Sequence, residues 1–332
     1  MTPRAGGGRP RFLAVVGPTA VGKTALSLAL AEHLPLEIVS MDSRQVYRGM
    51  DIGTDKVPAE ERARVPHHGL DLVAPSERYS AGRFAREARG WMDGIEARGR
   101  VPVLVGGTGF FLRALMDPIF EEPRLDEHRL RRLRPWLAAR DRETLARWVE
   151  LLDPERAAVA IEGGPQRMSR TLEVALLTGR PLSRWHREAP AETEGADGLV
   201  ILLELPRDEL RRRIDERVSR MIGRGLADEV AGLVAAGYTE ADPGMTGTGY
   251  REIITYLKGE RSLEEAVEDV RVATRRYARR QTTWFRHQLP SSAVRIEAIA
   301  PLEEQVGRVL AAWAERRGAG ATPRGPAPDD AR

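Results

Sequence analysis

The sequence predicts an α/β fold in which a parallel sheet is wound with helices and interrupted by an all-helical insertion. Short apolar runs rich in β-branched residues recur along the chain, and each is bounded by Gly, Pro or Asp. Helical patterns lie between these runs, an alternation that is typical of a buried parallel sheet. The stretch 118–197 differs, because its periodicity is helical throughout. Together these observations indicate a layered α/β core with a helical insertion.

Four runs are predicted to be strands: Phe12–Val16, Leu36–Val39, Val101–Val105 and Leu199–Leu205. The insertion separates the fourth strand from the other three. We therefore expect a flexible N-terminus, a core in two parts, a helical insertion and a disordered Gly/Pro/Ala-rich tail. Their expected bounds are 1–10, 11–117 with 198–316, 118–197 and 317–332.

Several predicted helices have recognisable ends. Pro165 suits the first position of a helix in the insertion, and Gly179 suits the position just after its last turn. Asp208 is predicted to cap the helix that follows the fourth strand. Ser262 precedes Glu265 by three residues, which is a capping-box pattern at the start of a long final helix.

The composition excludes several kinds of site. The 332 residues include no cysteine, which rules out disulfides, cysteine-ligated zinc and thiol catalysis. The formal net charge of +3 is too small to indicate a polyanionic partner by itself, so only local charge can do so. The apolar run at Phe12–Val16 is too short for a secretory signal or a membrane span. We expect a cytoplasmic monomer that does not enter a membrane.

A phosphate-binding loop follows the first predicted strand. The sequence GPTAVGKT matches the pattern G-x-x-x-x-G-K-[ST] in full and leads into a predicted helix. Backbone amides of such a loop close on phosphate oxygens, and the helix N-terminus favours negative charge. Lys23 is expected to contact the terminal phosphate, and Thr24 to ligate Mg²⁺. A diphosphate or triphosphate should therefore be bound by Gly17, Pro18, Thr19, Ala20, Val21, Gly22, Lys23 and Thr24.

Three further residues are candidates for chemistry. Asp42 follows the second strand, and the ends of neighbouring strands in such a sheet open onto one crevice. Three roles are open for its carboxylate: a general base, a group that organises Mg²⁺, or a turn residue. Thr108 lies in a glycine turn after the third strand and offers a hydroxyl, although a plain tight turn fits equally well. Arg224, between two glycines, either reaches a diphosphate or is a solvated residue at a helix end.

Arginines repeat at helical spacing in the long final helix. Arg271, Arg275 and Arg279 share one face, with Arg276 and Arg280 beside them. Basic residues near the end of a helix complement its dipole, which is one explanation of the pattern. Five arginines over several turns exceed that need, so we expect Arg275 and Arg279 to contact nucleic-acid phosphates.

The motifs occur in an order that resembles the tRNA dimethylallyltransferase (tRNA isopentenyltransferase) family, of bacterial type. The resemblance runs from about Leu13 to Phe285 and is carried by GPTAVGKT, DSRQVYRGMDIGTDK, GGTGFFLRAL, QRMSR, RGLADEV, GTGYREI and TRRYARRQTTWFR. It implies a P-loop NTPase-like core that holds dimethylallyl diphosphate with Mg²⁺. The acceptor would be the exocyclic amine of the tRNA adenosine immediately 3′ of the anticodon, flipped into a channel through the protein.

The resemblance also implies roles for individual residues. Asp42 would take the amine proton, while Thr108 and Arg224 would contact the reacting end and the diphosphate. The insertion would grip the anticodon stem, although the counterpart of a basic residue usual in the family is ambiguous near Leu130. Two segments would contact tRNA: Asp42, Ser43, Arg44 and Gln45, with Thr108 nearby, and Gln166, Arg167, Met168, Ser169 and Arg170.

Three other functions remain open at this point. A nucleoside or nucleotide kinase fits the phosphate loop, Asp42 and the arginine-bearing stretch Asp208–Arg217. An RNA-binding NTPase would hydrolyse ATP over many turnovers when RNA is present. A prenyltransferase acting on free adenylate is a near relative of the leading interpretation. Arginines cluster at the start of the insertion and favour a large RNA instead; they are Arg124, Arg129, Arg131, Arg132 and Arg134.

Overall fold

The computed structural model describes residues 11–319, except 118, 121–122, 124 and 189–190. The expected flexible N-terminus and most of the expected tail lie outside the described residues. The chain forms two compact units: Met1–Asp117 with Gly195–Arg332, and Pro118–Glu194. The second unit begins where the predicted insertion begins and ends at Glu194 instead of residue 197.

Eight strands are present in the described part of the chain. They are β1 (Phe12–Val16), β2 (Leu36–Ser40), β3 (His67–His68), β4 (Val101–Gly106), β5 (Ile119–Phe120), β6 (Ala191–Thr193), β7 (Gly198–Glu204) and β8 (Val294–Glu297). Six of them form a parallel sheet in the order β3-β2-β4-β1-β7-β8. The predicted α/β class is confirmed.

Fourteen α-helices connect and cover the strands within the described residues. In the first unit they are α1 (Lys23–Leu30), α2 (Ala59–Arg64), α3 (Ala81–Ala97), α4 (Gly109–Met116), α10 (Arg207–Gly223), α11 (Leu226–Ala235), α12 (Tyr250–Leu257), α13 (Leu263–Gln288) and α14 (Leu302–Ala319). In the second unit they are α5 (Glu127–Ala138), α6 (Arg142–Leu152), α7 (Ala157–Glu162), α8 (Pro165–Thr178) and α9 (Leu182–Glu188), with a 3₁₀ turn at Pro154–Arg156.

The centre of the sheet is the most buried part of the first unit. β1 lies between β4 and β7, and all five of its residues are buried. Its register aligns Val16 with Gly106 of β4, while Ser40 of β2 aligns with Val105. The C-terminal ends of three neighbouring strands are therefore level, so the turns that follow them converge at one edge.

The second unit has a helical core of its own and is not wholly helical. Leu137, Val149, Met168 and Leu172 pack together from α5, α6 and α8, and they expose almost no surface. β5 and β6 form a short antiparallel pair at the two ends of the unit. The prediction of an all-helical insertion was wrong in this respect, because runs of two and three residues are too short to show an alternating pattern.

The predicted helix ends are mostly present. Pro165 is the first residue of α8 and Gly179 ends it with φ of 70°. Ser262 and Glu265 form the predicted capping box of α13. The prediction for Asp208 was wrong, because α10 begins one residue earlier and Asp208 lies within its first turn. The long helix at Ser262 is also not the last, since α14 follows it. None of the described helices is long and apolar enough to cross a membrane.

Candidate active site

A cavity of about 360 Å³ opens at the edge where the turns after β1 and β2 converge. Asp42 contributes a carboxylate to its wall, and α10 contributes four arginines. Five residues of the phosphate loop line it: Thr19, Ala20, Gly22, Lys23 and Thr24. A pocket with this many cations and backbone amides is suited to a ligand with several negative charges.

The phosphate loop has a backbone that requires its glycines. Gly17 and Gly22 have φ values of 149° and 108°, which are unfavourable for other residues. A Cβ on Gly17 would come within 2.7 Å of the Leu203 carbonyl oxygen. Gly22 is the residue before α1, so the helix N-terminus begins directly at the cavity. The local geometry is that of an anion-binding loop.

The Lys23 side chain folds back over the phosphate loop. Its Nζ donates to the carbonyl oxygens of Gly17 at 3.0 Å and Pro18 at 2.7 Å. Burial lowers the pKa of Lys23 to about 8, while the nearby Asp42 carboxylate raises it and Arg217 lowers it further. The ammonium is therefore poorly solvated, and an anionic ligand in the cavity would stabilise it.

Asp42 lies at the end of β2, in the same cavity as Lys23 and Thr24. One carboxylate oxygen accepts from the Arg44 backbone amide at 2.8 Å, which orients the side chain through a local turn. Asp42 therefore stabilises a turn, as one of its three predicted roles required, and this does not exclude a chemical role. The structure places a carboxylate beside the predicted phosphate site in a fixed orientation.

Thr108 contacts the Asp42 loop and does not line the cavity. Its hydroxyl oxygen accepts from the Ser43 backbone amide at 3.0 Å, and Tyr277 of α13 lies beside it. Burial and the negative charge of Asp42 raise the pKa of Tyr277 to about 12. The Tyr277 hydroxyl therefore lies within the electrostatic reach of Asp42.

Gln281 joins two loops of the site from α13. Its amide oxygen accepts from the Thr19 backbone amide at 2.9 Å, and its Nε2 donates to the Gly107 carbonyl oxygen at 2.9 Å. A Cβ at Gly107 would come within 2.1 Å of Nε2, so any larger residue at this position would displace the Gln281 amide. The sequence interpretation missed Gln281. Its position on the buried stripe of α13, with Ala278 and Phe285, was the available signal.

Arg217 is closer to the phosphate loop than the predicted Arg224. Arg217 is 17% exposed, and it donates from Nη1 to the Thr19 hydroxyl at 2.6 Å and from Nε to Asp55 at 2.9 Å. Arg224 is 48% exposed, does not line the cavity and contacts Asp55 at 3.3 Å. Arg213, Arg217 and Arg220 share one face of α10, and this spacing could have identified them.

The loop 51–56 is anchored by polar side chains. Glu229 accepts from three consecutive backbone amides of this loop at 2.6–3.0 Å and from the Tyr250 hydroxyl at 2.7 Å. Lys56 is buried and pairs with Asp51 at 2.7 Å and Asp71 at 2.6 Å. Because the loop is anchored on both sides, the Asp55 carboxylate that it carries is held against Arg217 of α10.

The segment after Asp42 is largely tied to the protein itself. The Gln45 amide accepts from the Ser40 hydroxyl at 2.8 Å and donates to the backbone carbonyls of Thr54 and Asp55. Arg44 donates to the Pro243 carbonyl oxygen at 2.7 Å. The predicted contacts of Asp42, Ser43, Arg44 and Gln45 with tRNA stay predictions, and Gln45 has an evident role in anchoring the Asp55 loop.

One predicted RNA contact, Met168, needs correction, and another, Arg275, stays a prediction. Met168 has no exposed surface and belongs to the core of the second unit, so its side chain cannot face a ligand there. Arg275 is paired with Asp215 of α10 at 2.6 Å and with Glu268 at 3.3 Å, and it is 24% exposed. Both residues contribute to packing within their units. Gln166, Arg167, Ser169 and Arg170 of α8 keep exposed or partly exposed surface, as does Arg279 of α13.

Comparisons with known proteins find relatives along most of the chain. The family model described as IPP transferase matches residues 45–288. A tRNA dimethylallyltransferase of Geobacillus thermodenitrificans is 43% identical over 281 residues, which cover 84% of this chain and 89% of that protein. The similarity thus extends over most of the first unit and the whole of the second.

Two solved structures are similar in fold. The tRNA isopentenylpyrophosphate transferase of Bacillus halodurans has a TM-score of 0.66 and 35% identity, covering 92% of this chain and 98% of that one. A eukaryotic dimethylallyltransferase acting on tRNA has a TM-score of 0.72 and 29% identity, covering 86% of this chain and 73% of that one. These neighbours support the P-loop-like core, and the comparisons give no support to the kinase interpretation.

Proposed function

This chain belongs to the IPP transferase family, and we propose that it transfers a dimethylallyl group from dimethylallyl diphosphate to a tRNA adenosine. The acceptor is the exocyclic amine of the adenosine immediately 3′ of the anticodon, and the products are isopentenyladenosine and diphosphate. The observation that carries the proposal is that Asp42 lies in the same cavity as Lys23 and Thr24 of the phosphate loop. A base and a site for the leaving group are thereby adjacent.

The diphosphate binds in the cationic part of the cavity. Backbone amides of the phosphate loop and the Lys23 ammonium hold its oxygens. Arg217 keeps donor groups beyond those used on Thr19 and Asp55, because a guanidinium has five N–H groups. These cations stabilise the negative charge that develops on the diphosphate as its bond to the prenyl carbon breaks. Arg224 is more exposed than Arg217 and lies outside the cavity lining.

The acceptor amine approaches from the Asp42 side. The bond between the prenyl C1 and the diphosphate oxygen breaks, a bond from C1 to the adenosine nitrogen forms, and Asp42 receives the proton that this nitrogen loses. An aromatic amine is a weak nucleophile, since its lone pair is delocalised into the ring. Removing its proton during bond formation prevents positive charge from accumulating. Thr108 orients the Asp42 loop for this step through its bond to the Ser43 amide.

Mg²⁺ is the expected cofactor, and the residues present fit it. The Thr24 hydroxyl and the Asp42 carboxylate border one cavity and are the hard oxygen donors that Mg²⁺ prefers. No group of three or more acidic or histidine side chains in the described residues is arranged to hold a metal by itself. Binding would therefore depend on diphosphate oxygens, and the ion would add positive charge beside the leaving group.

The RNA is expected to contact both units. Exposed arginines of α13, including Arg276 and Arg279, are available for phosphates, as are the exposed Gln166 and Arg167 of α8. Phosphate contacts of this kind position the RNA without reading its sequence. The flipped adenosine would then reach Asp42, which is the step that commits the substrate to reaction.

The experiment that tests this proposal is a transfer assay with the purified protein, unmodified tRNA, dimethylallyl diphosphate and Mg²⁺. We expect one prenyl group per tRNA, on the adenosine next to the anticodon, and no ATP hydrolysis in a parallel reaction. RNA-stimulated hydrolysis of ATP without prenylated product would instead support the RNA-binding NTPase.

A further inference from the structure

We propose that Gln281 is a positioning residue of the transfer reaction, which fixes the phosphate loop relative to the turn that carries Thr108. This inference rests on the proposed function, because a reaction between two separately bound groups depends on their alignment. Gln281 is not placed to touch either substrate, since it is 6% exposed and both polar atoms of its amide are bonded to backbone.

The amide can hold only one arrangement of its two partners. Its oxygen accepts from the Thr19 backbone amide and its Nε2 donates to the Gly107 carbonyl oxygen, both at 2.9 Å. Rotating the amide by half a turn would place N–H against N–H and oxygen against oxygen. Because the side chain is buried, water cannot replace either bond without opening the site. β1 and β4 are paired up to Val16 and Gly106, and the two bonds of Gln281 extend this connection to the turns beyond the strands.

Each loop held by Gln281 carries a different part of the chemistry. Thr19 belongs to the donor side, since its hydroxyl accepts from Arg217 at 2.6 Å and its loop contains Lys23. Gly107 belongs to the acceptor side, since it precedes Thr108, whose hydroxyl fixes Ser43 beside Asp42. Gln281 thus links the leaving-group site to the base through two hydrogen bonds. A shift of either loop would change the approach of the amine to the prenyl carbon.

Substitution of Gln281 should therefore slow prenyl transfer without weakening substrate binding to the same extent. Misplacing reacting groups by about 1 Å can cost on the order of a hundredfold in rate. Each substrate still binds to its own loop when the other is absent, so the affinity for each substrate should change little. A residue that only stabilised the fold would lower the melting temperature and would not separate turnover from binding in this way.

The test compares Gln281→Met with Gln281→Glu. Methionine keeps the length of the side chain and removes both hydrogen bonds. In Gln281→Glu, the ionised carboxylate keeps the acceptor for Thr19 and loses the donor for Gly107, whereas the protonated acid restores a donor. Burial raises the pKa of a carboxyl group, so protonation should occur within reach of mildly acidic buffers.

Single-turnover transfer is measured with both substrates saturating, from pH 8 down to pH 6, beside dissociation constants and melting temperatures. We expect both variants to be roughly tenfold to a hundredfold slower than the unaltered protein at pH 8. The rate of Gln281→Glu relative to the unaltered protein should rise as the pH falls. The relative rate of Gln281→Met should stay low at every pH.

Gln305 provides a matched control on α14. It is also 6% exposed, and its Nε2 donates to the Ala300 carbonyl oxygen at 2.7 Å, away from the cavity. Gln305→Met and Gln305→Glu should transfer at the unaltered rate. The inference fails if the Gln281 variants also transfer at the unaltered rate, or if weaker substrate binding accounts for the whole fall in their rate. It also fails if the Gln305 variants lose as much transfer rate as the Gln281 variants. A protein with no transferase activity at all would instead refute the proposed function.

Discussion

Asp42 combines two properties that a general base requires. It is oriented by the Arg44 amide at 2.8 Å, and it borders the cavity that contains the phosphate loop. Asp42→Asn keeps the shape of the side chain and cannot accept a proton. We expect turnover to fall by about 10²- to 10⁴-fold while both substrates still bind, as measured by single-turnover transfer at saturation.

The surface residue Asp197 offers a control for the Asp42 substitution, because it pairs with Arg316 at 3.0 Å outside the cavity. Asp197→Asn should leave transfer unchanged. If Asp42→Asn reacts within about threefold of the unaltered protein, deprotonation follows the rate-limiting step or uses another group.

Lys23 should make donor binding sensitive to alkaline pH. Its lowered pKa of about 8 means that the free protein loses this charge as the pH rises above 8. The affinity for dimethylallyl diphosphate should then fall by up to about tenfold per pH unit, until the pKa of the bound state is reached. Lys23→Ala should bind more weakly, by roughly tenfold to a hundredfold at neutral pH, and should lack this pH dependence.

The same pKa shift has the opposite effect on the folding of the free protein. Between pH 8 and the ordinary lysine pKa, the unfolded chain binds a proton at Lys23 that the folded chain does not. Stability from this group therefore rises with pH across that range. Calorimetry can check the sign. A donor affinity that is flat from pH 7 to pH 10 would contradict the role of Lys23.

Arg217 and Arg224 differ in how closely they approach the phosphate loop. Arg217 bonds to Thr19 and is mostly buried, whereas Arg224 is about half exposed and reaches only Asp55. Arg217→Gln should weaken diphosphate binding by roughly tenfold to a hundredfold, and Arg224→Gln should have a smaller effect. Isothermal titration with diphosphate measures both. A larger loss in Arg224→Gln would support the diphosphate contact predicted for Arg224 from the sequence.

At the scale of elements, α13 has one face that packs and one that is exposed. Arg279 is exposed, whereas Arg275 is held by Asp215 and Glu268. Arg279→Glu should weaken tRNA binding and reduce the slope of log affinity against log salt by about one unit. Arg275→Glu should mainly lower the melting temperature, since it places like charges together. Equal salt slopes in Arg279→Glu and the unaltered protein would remove Arg279 from the RNA surface.

The sequence predicted the elements whose signal is local. The central strands, the phosphate loop and the ends of α8 and α13 each follow from a short pattern or a cap. β3, β5, β6 and β8 are two to four residues long and carry no such pattern. The pairing of Arg275 with Asp215 and the bridge made by Gln281 join residues far apart in the chain, so periodicity could not reveal them.

At the scale of the whole molecule, motif order was more informative than any single motif. The phosphate loop alone fits kinases and NTPases equally well. The family match over residues 45–288 begins after that loop, so it is independent support for the transferase interpretation. The choice between Arg217 and Arg224 needed the structure, because both follow the same strand and only contacts in space distinguish them.

The most direct test of the account is mass spectrometry of tRNA nucleosides from a host that lacks this modification. The gene for the unaltered protein, or for Asp42→Asn, is expressed in that host, and its bulk tRNA is digested to nucleosides. The account predicts isopentenyladenosine with the unaltered protein and a strongly reduced amount with Asp42→Asn expressed at the same level. Adenosine without any prenyl group, in a host where the unaltered protein is folded and abundant, would contradict it.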